Sequence, residues 1–290
     1  MNQDVRNADA PALPSPDYRQ MATAAAQREL VFPTSAELDL RIKQALDDPD
    51  CSVDQAARLI QAEPLLAARV VSMANSVSYN RSGRAITDVR QAVSRLGFRT
   101  LRSLTMSMLV KQISGRADQP QLKAAVRQLW EHTAHVSALA HVIARRVTHQ
   151  DPETALFAGI LHEVAGFYLI ARAKDDPGLV LPIPRDWQGN GEYLLGAALL
   201  EMLDVPPAIV GAIADLWGGF YAIPPASLGD TLLLAEALAP VPSPLYWAPA
   251  KGDEALVGKP QIEFVLDEET LSSVLAESAE EVQSLIKALE

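Results

Sequence analysis

The sequence predicts an all-α protein, and three observations carry that prediction. Apolar residues recur at helical spacing in one segment after another. The segments are punctuated by proline, glycine and capping residues at their ends. Strand-like alternation is confined to a hint over Ile262 to Leu266.

The elements follow in order. Residues 1–18 carry Pro11, Pro14 and Pro16 among small and acidic residues, and are expected to form a disordered leader. A short helix is expected over 19–31, ended by Phe32-Pro33. Leu38, Ile42 and Ala45 mark a helix from Ala36 to Leu46. Asp47-Asp48-Pro49-Asp50 is a turn, after which Ser52 can cap a helix across Val53 to Gln61. Pro64 suits the first position of the next helix, which runs to Ala74. Thr87 or Asp88 opens another, which Gly97 stops, and an apolar helix follows from Thr100 to Ile113. Polar Ser114 to Pro120 reads as a hinge between two helical halves, 19–113 and 120–250. The second half continues with a helix from Leu122 to Val147 and a central helix from Asp151 to Ala171. A loop over 174–191, helices Glu192 to Leu203, Pro207 to Trp217 and Thr231 to Ala239, and a proline-rich stretch complete it. An acidic tail, 251–290, ends in an amphipathic helix from Glu269 to Leu289.

Composition narrows the function. The chain has 290 residues, is 49% hydrophobic and carries a net charge of −11. That charge argues against a protein that coats nucleic acid or an anionic membrane. One cysteine, Cys51, excludes an intramolecular disulfide and fits a reducing compartment. No uninterrupted apolar run reaches the ~18 residues of a membrane span. A cytoplasmic protein is the simplest expectation. Glycine-rich phosphate loops, CxxC pairs and G-x-S-x-G elbows are missing from the sequence.

The central helix holds the feature that matters most. Between Ala155 and Ala171 its strongly polar residues are His162 and Glu163, side by side in an apolar segment. Burying such a pair is costly unless it is hydrogen-bonded, paired or coordinating. His132, on the preceding helix, shares a stripe with Val136, Leu139 and Ile143, which points it at the core. Glu236 is a lone acid in apolar LLLAEALA. Imidazoles and carboxylates are ligands for Zn, Mn or Fe. His132, His162, Glu163 and Glu236 are therefore a candidate metal site; the other reading is a metal-free hydrogen-bonded network. His135, His141 and His149 lie off the stripe or past the helix end, as surface or capping residues.

A second feature is basic. Residues 81–102 hold six arginines against one acid, Asp88, while 253–290 hold ten acids and two lysines. Arg95, Arg99 and Arg102 would line one helical face if Gly97 leaves the helix intact. Arginine forks suit carboxylate or phosphate. The face could dock an acidic partner, a nucleotide or the chain's own tail, or simply be solvated.

Several of these segments resemble the HDOD domain, a degenerate relative of the HD metal-dependent phosphohydrolases. In the first half they are Phe32-Pro33, QAEPLLAARVVSMANSVSYN and ITDVRQAVSRLGFRTLRSL; in the second, LWEHT, ETALFAGILHEVAGFYLI and LLLAEALA. The resemblance implies an HD-like second half. It would put His132, His162 with Glu163, and Glu236 in the positions that HD hydrolases fill with His, a His-Asp pair and Asp. Both acids here are Glu. The stretch EYLLGAALLEMLDVPPAIVGAIADLW also lacks histidines that relatives often carry there. HDOD proteins resemble regulatory modules of bacterial signalling, linked to cyclic-di-nucleotide or two-component pathways, with hydrolysis usually not shown. The expectation is a non-catalytic regulator that needs no cofactor and binds a signalling partner or small ligand. The alternative is a divergent phosphohydrolase that acts on a nucleotide or phosphoester, with a divalent ion and Glu163 at its centre.

Overall fold

A computed structural model of the chain describes residues 17–26, 34–113, 119–174, 179–180, 186–219, 222–246 and 268–289. The protein is all-α, and among the described residues there is no strand. Most of the expected leader, the hinge residues 114–118 and the strand-like Ile262 to Leu266 lie outside the described residues. Tyr18, expected within the leader, is buried and opens the first helix.

The helices are α1 Tyr18–Ala26, α2 Thr34–Asp47, α3 Val53–Gln61, α4 Pro64–Ala74, α5 Val89–Ile113 and α6 Pro120–Ile143. They continue with α7 Pro152–Leu161, α8 Val164–Arg172, α9 Glu192–Met202, α10 Pro207–Gly218, α11 Leu228–Leu238 and α12 Glu268–Leu289. Local chemistry sets many of the boundaries. The Ser52 hydroxyl accepts from Gln55 N while the Gln55 side chain accepts from Ser52 N, a capping box at the start of α3. Asp151 caps α7 by accepting from Thr154 N. Gly219, at φ 68°, closes α10 in the left-handed conformation open to glycine.

Three elements differ from the sequence expectation. The central segment is two helices rather than one. His162 Nδ1 takes the Gly159 carbonyl at 2.6 Å, the acceptor that the Glu163 N–H would otherwise use, and the chain turns before α8 starts. The segment Pro152–Arg172 is apolar enough and long enough to cross a membrane by composition, but 83% of its most apolar 18 residues are buried inside the protein. α11 starts three residues before Thr231, because Ser227 and Asp230 form a capping box. A π-helical turn, Trp187–Gly191, occupies the end of the expected loop and buries Trp187 completely.

The core is one contiguous apolar cluster that extends from Tyr18 to Leu289. α5 is its spine: it packs on α2, α3 and α4 on one side and on α7 and α8 on the other. α6 is held by α7, α11 and α12. A Cβ on Gly159 would lie 2.6 Å from Ser137 Cα, so α6 and α7 approach at a distance only glycine permits. That close approach brings the two histidines together.

Candidate metal centre

Four elements deliver one side chain each. His132 comes from the middle of α6, with Val136, Leu139 and Ile143 of its stripe buried beside it. His162 ends α7, Glu163 begins α8, and Glu236 lies in the last turns of α11. His132, His162 and Glu163 are fully buried, and the Glu236 side chain is 16% exposed.

The hydrogen bonds fix the tautomers. His132 Nδ1 lies 2.8 Å from the Val241 carbonyl, and His162 Nδ1 lies 2.6 Å from that of Gly159. A carbonyl only accepts, so both Nδ1 atoms carry hydrogen. The two Nε2 atoms then face each other at 3.2 Å. Glu236 Oε2 lies 3.2 Å from His132 Nε2 and 3.5 Å from His162 Nε2, and Glu163 Oε1 lies 3.8 Å from His132 Nε2. Lone pairs and carboxylates crowded into an apolar core need a positive particle among them. A proton on one ring supplies it, and so does a metal ion.

The titration properties fit the proton version. Burial alone would push His132 down. The hydrogen bond to Glu236, that carboxylate's charge and the charge of Glu163 outweigh it and hold His132 up to about 9. Burial likewise opposes ionisation of Glu236, but its pairing with the two imidazoles, His132 first, draws it down to about 2. The Tyr246 phenol, its ring 6.3 Å from that of His132, is pushed well up by burial and the neighbouring carboxylates.

The donor set also fits a metal. His132, His162 and Glu163 each offer a ligand atom, all within 4.8 Å of one another. Neither oxygen of Glu163 has a hydrogen-bond partner among the described residues, although both are buried. Such orphaned oxygens are what a cation would satisfy. His132, His162 and Glu163 would hold the ion, with Glu236 alongside.

The structure places the arginines differently. Gly97, at φ 74° and ψ 166°, interrupts α5 between Arg95 and Arg99, so the three do not share a helical face. Arg95 donates to the Ala74 and Arg84 carbonyls. Arg99 pairs with Asp151 at 2.8 Å, and Arg102 with Asp47 at 3.0 Å. Arg99 and Arg102 line a cleft between α5 and α7. Within the acidic tail, Glu281 of α12 pairs with Arg145 and accepts from Ser78 Oγ at 2.8 Å.

His141 is where sequence reasoning went astray. Expected at the surface, it is buried between Glu153 Oε1 at 3.7 Å and Glu281 Oε1 at 3.8 Å. α6 is covered by α7, α8, α11 and α12, so residues off the His132 stripe are also enclosed. Glu153 further accepts from Tyr79 OH at 2.6 Å and Thr100 Oγ1 at 2.7 Å. Burial opposes its ionisation, but donation from His141, Tyr79 and Thr100 keeps its carboxyl below the usual range. Tyr79, which follows the Ala74-Asn75-Ser76 ending of α4, was the one sequence signal of this network.

Similar proteins agree with this architecture. The HDOD domain model matches residues 32–216. A curated relative, an uncharacterized protein of Treponema pallidum (strain Nichols), is 23% identical over 212 residues, 67% of this chain. The match covers 39% of that relative, so this chain spans well under half of its length. Among solved structures, one provisionally named a metal-dependent phosphohydrolase, from Shewanella amazonensis SB2B, superposes with a TM-score of 0.67 at 18% identity, covering 94% of this chain and 99% of that one. An HDOD domain protein of unknown function from Geobacter sulfurreducens gives 0.59 at 21% identity, with coverage of 94% and 99%. A provisionally named signal transduction protein from Marinobacter aquaeolei VT8 gives 0.56 at 20% identity, with coverage of 94% and 65%.

Fold and buried His–carboxylate cluster together describe an all-α protein with a candidate metal centre in its core. This chain belongs to the HDOD domain family.

Proposed function

We propose that the chain is a non-catalytic regulatory module that binds a signalling protein or a small ligand through the cleft between its two helical halves. One observation carries this reading: His132, His162 and Glu163 have no exposed surface, so a substrate phosphate has no access to them. The substitution of Glu for Asp at both acidic positions, and the imidazolium–carboxylate pairing of His132 with Glu236, support it. In this reading the cluster is a structural polar knot that ties α6, α7, α8 and α11 together, and Arg99 and Arg102 face partners at the cleft, while Arg95 holds the Ala74 and Arg84 carbonyls. Partners from cyclic-di-nucleotide or two-component signalling suit a family that includes regulatory modules.

The orphaned oxygens of Glu163 favour a second reading, a divergent metal-dependent phosphohydrolase. A bound divalent ion would polarise a phosphoester and activate water. In that case His132 and His162 would keep their Nδ1–H bonds and present Nε2, while Glu163 would hold or move a proton at its free oxygen.

One experiment separates the two. Protein purified without chelator is assayed for bound metal and for hydrolysis of bis(p-nitrophenyl) phosphate with added Mn²⁺. The regulatory reading expects no turnover, and it expects Glu163→Gln to leave partner capture intact. Turnover that Glu163→Gln abolishes would overturn it. Charge reversal at Arg99 and Arg102 is expected to weaken partner capture, read by pull-down.

A further inference from the structure

The cleft beside Arg99 and Arg102 has a volume of about 520 Å³, within the range of small-molecule sites. It lies between α2 and α5 on one side and α7 and the start of α10 on the other. Its walls are of two kinds. Met106 of α5, Phe157 of α7 and Ile209 of α10 make an apolar interior. Lys43, Arg99 and Arg102 bring cations to it.

The charge arrangement on the α2–α5 wall is specific. Asp47 is a single carboxylate that serves two cations: Lys43 Nζ lies 3.0 Å from Oδ2, and Arg102 Nε lies 3.0 Å from Oδ1. One negative charge against two leaves that wall one positive charge in excess. The Lys43 side chain is only 11% exposed, so its charge is held in place by packing. Arg102 spends Nε on Asp47 and on the Leu46 carbonyl at 3.2 Å, and among the described residues both Nη groups are left for a ligand. Facing this wall, Glu153 is fully engaged by Tyr79 and Thr100. The first turn of α10 has no side-chain cap, so it too favours negative charge.

We infer that this cleft is a binding site for a small organic monoanion with an apolar body, such as a carboxylate or sulfonate that carries an aromatic or aliphatic group. The body would rest on Phe157, Met106 and Ile209, with the anionic group on Arg102 and Lys43. A polyanion such as a nucleoside triphosphate is disfavoured, because Asp47, Glu153 and Asp204 line the same cleft and match its three cations, Lys43, Arg99 and Arg102, in number; the positive excess is confined to the α2–α5 wall. Phe157 belongs to α7, the helix that ends at His162, so a ligand here leans on the element that carries half of the histidine pair. The inference rests on the regulatory reading and supplies the chemistry of its small ligand.

The test is a fluorescence titration of the full chain with 8-anilinonaphthalene-1-sulfonate, beside its uncharged analogue N-phenyl-1-naphthylamine. The expected result is saturable binding of one sulfonate per native chain, with the uncharged analogue weaker. Arg102→Gln is expected to weaken the sulfonate roughly tenfold and leave the analogue unchanged. Ala208→Trp, which fills the cleft from an exposed position, is expected to abolish both. Far-UV circular dichroism melts confirm that each variant is folded. Equal binding of the two probes, or sulfonate binding that survives both substitutions, would overturn the inference. Hydrolysis by the pure protein would instead overturn the regulatory reading, and the titration, which reads no turnover, would stand on its own.

Discussion

At the scale of single residues, the protein is decided by charges it keeps away from water. His132 holds Glu236 and Glu163 in check inside the core. Removing it leaves two carboxylates without their cation. His132→Ala is expected to cost about 3–5 kcal/mol, read as a lowered urea midpoint with an unchanged m-value. Asp39 is a simpler case. It is fully buried on α2, accepts from Gln112 Nε2 at 2.8 Å, and burial together with the Glu63 charge raises it from 3.8 to about 6. The folded state therefore holds this proton more tightly than the unfolded chain. Stability from this group is present at pH 4 and lost as pH rises through about 6, the reverse of an ordinary salt-bridged acid. The Asn variant keeps the acceptor for Gln112 and has nothing to ionise. Asp39→Asn is expected to gain about 1–2 kcal/mol over the parent at pH 7 and little at pH 4, measured by urea unfolding at both values.

At the scale of elements, close approach and interruption do the positioning. Gly159 lets α6 and α7 touch, and the His162 ring then ends α7 by capturing the Gly159 carbonyl. Gly159→Ala would drive a methyl group into the Ser137 backbone. The expected outcome is a loss of about 1–3 kcal/mol and separation of the two imidazoles. NMR of the histidine ring nitrogens checks the second part: both Nε2 signals should move from their parent positions once the 3.2 Å contact is lost. The capping residues were readable beforehand because they act locally. Ser52, Pro64, Asp151 and Gly219 needed only their sequence neighbours. The break at His162 was not readable, because the ring could have turned either way until α6 supplied a partner for Nε2.

At the scale of the whole molecule, a polar network fastens three distant parts of the chain. Tyr79 and Thr100 come from the first half, His141 and Glu153 from the second, and Glu281 from α12. Apolar Val282, Leu285, Ile286 and Leu289 bury the same helix against the body. Arg145 and Ser78 complete the hold on Glu281, whose carboxyl lies below its usual range: burial opposes ionisation, and these donors outweigh it. Glu281→Ala is expected to cost about 1–2 kcal/mol, a fall of a few degrees in Tm. The difference from the parent should shrink as pH falls below the Glu281 pKa, because the parent then loses the same ion pair. A difference that does not change with pH would show that packing, not charge, is what was lost.

The sequence by itself determined that the chain is helical, where most helices begin and end, and that a His–Glu pair with a second histidine and a distant glutamate would need satisfying. Those conclusions follow from periodicity, caps and the cost of buried charge, which act over a few residues or depend on composition alone. The tertiary structure decided which side chains meet. It drew His132 to His162 across Gly159, buried His141 between Glu153 and Glu281, and divided Arg95 from Arg99 at Gly97. It also set Lys43 and Arg102 on one carboxylate beside an apolar cleft. Convergence of this kind depends on how helices cross in space, and residues far apart in the chain carry no local signal of it.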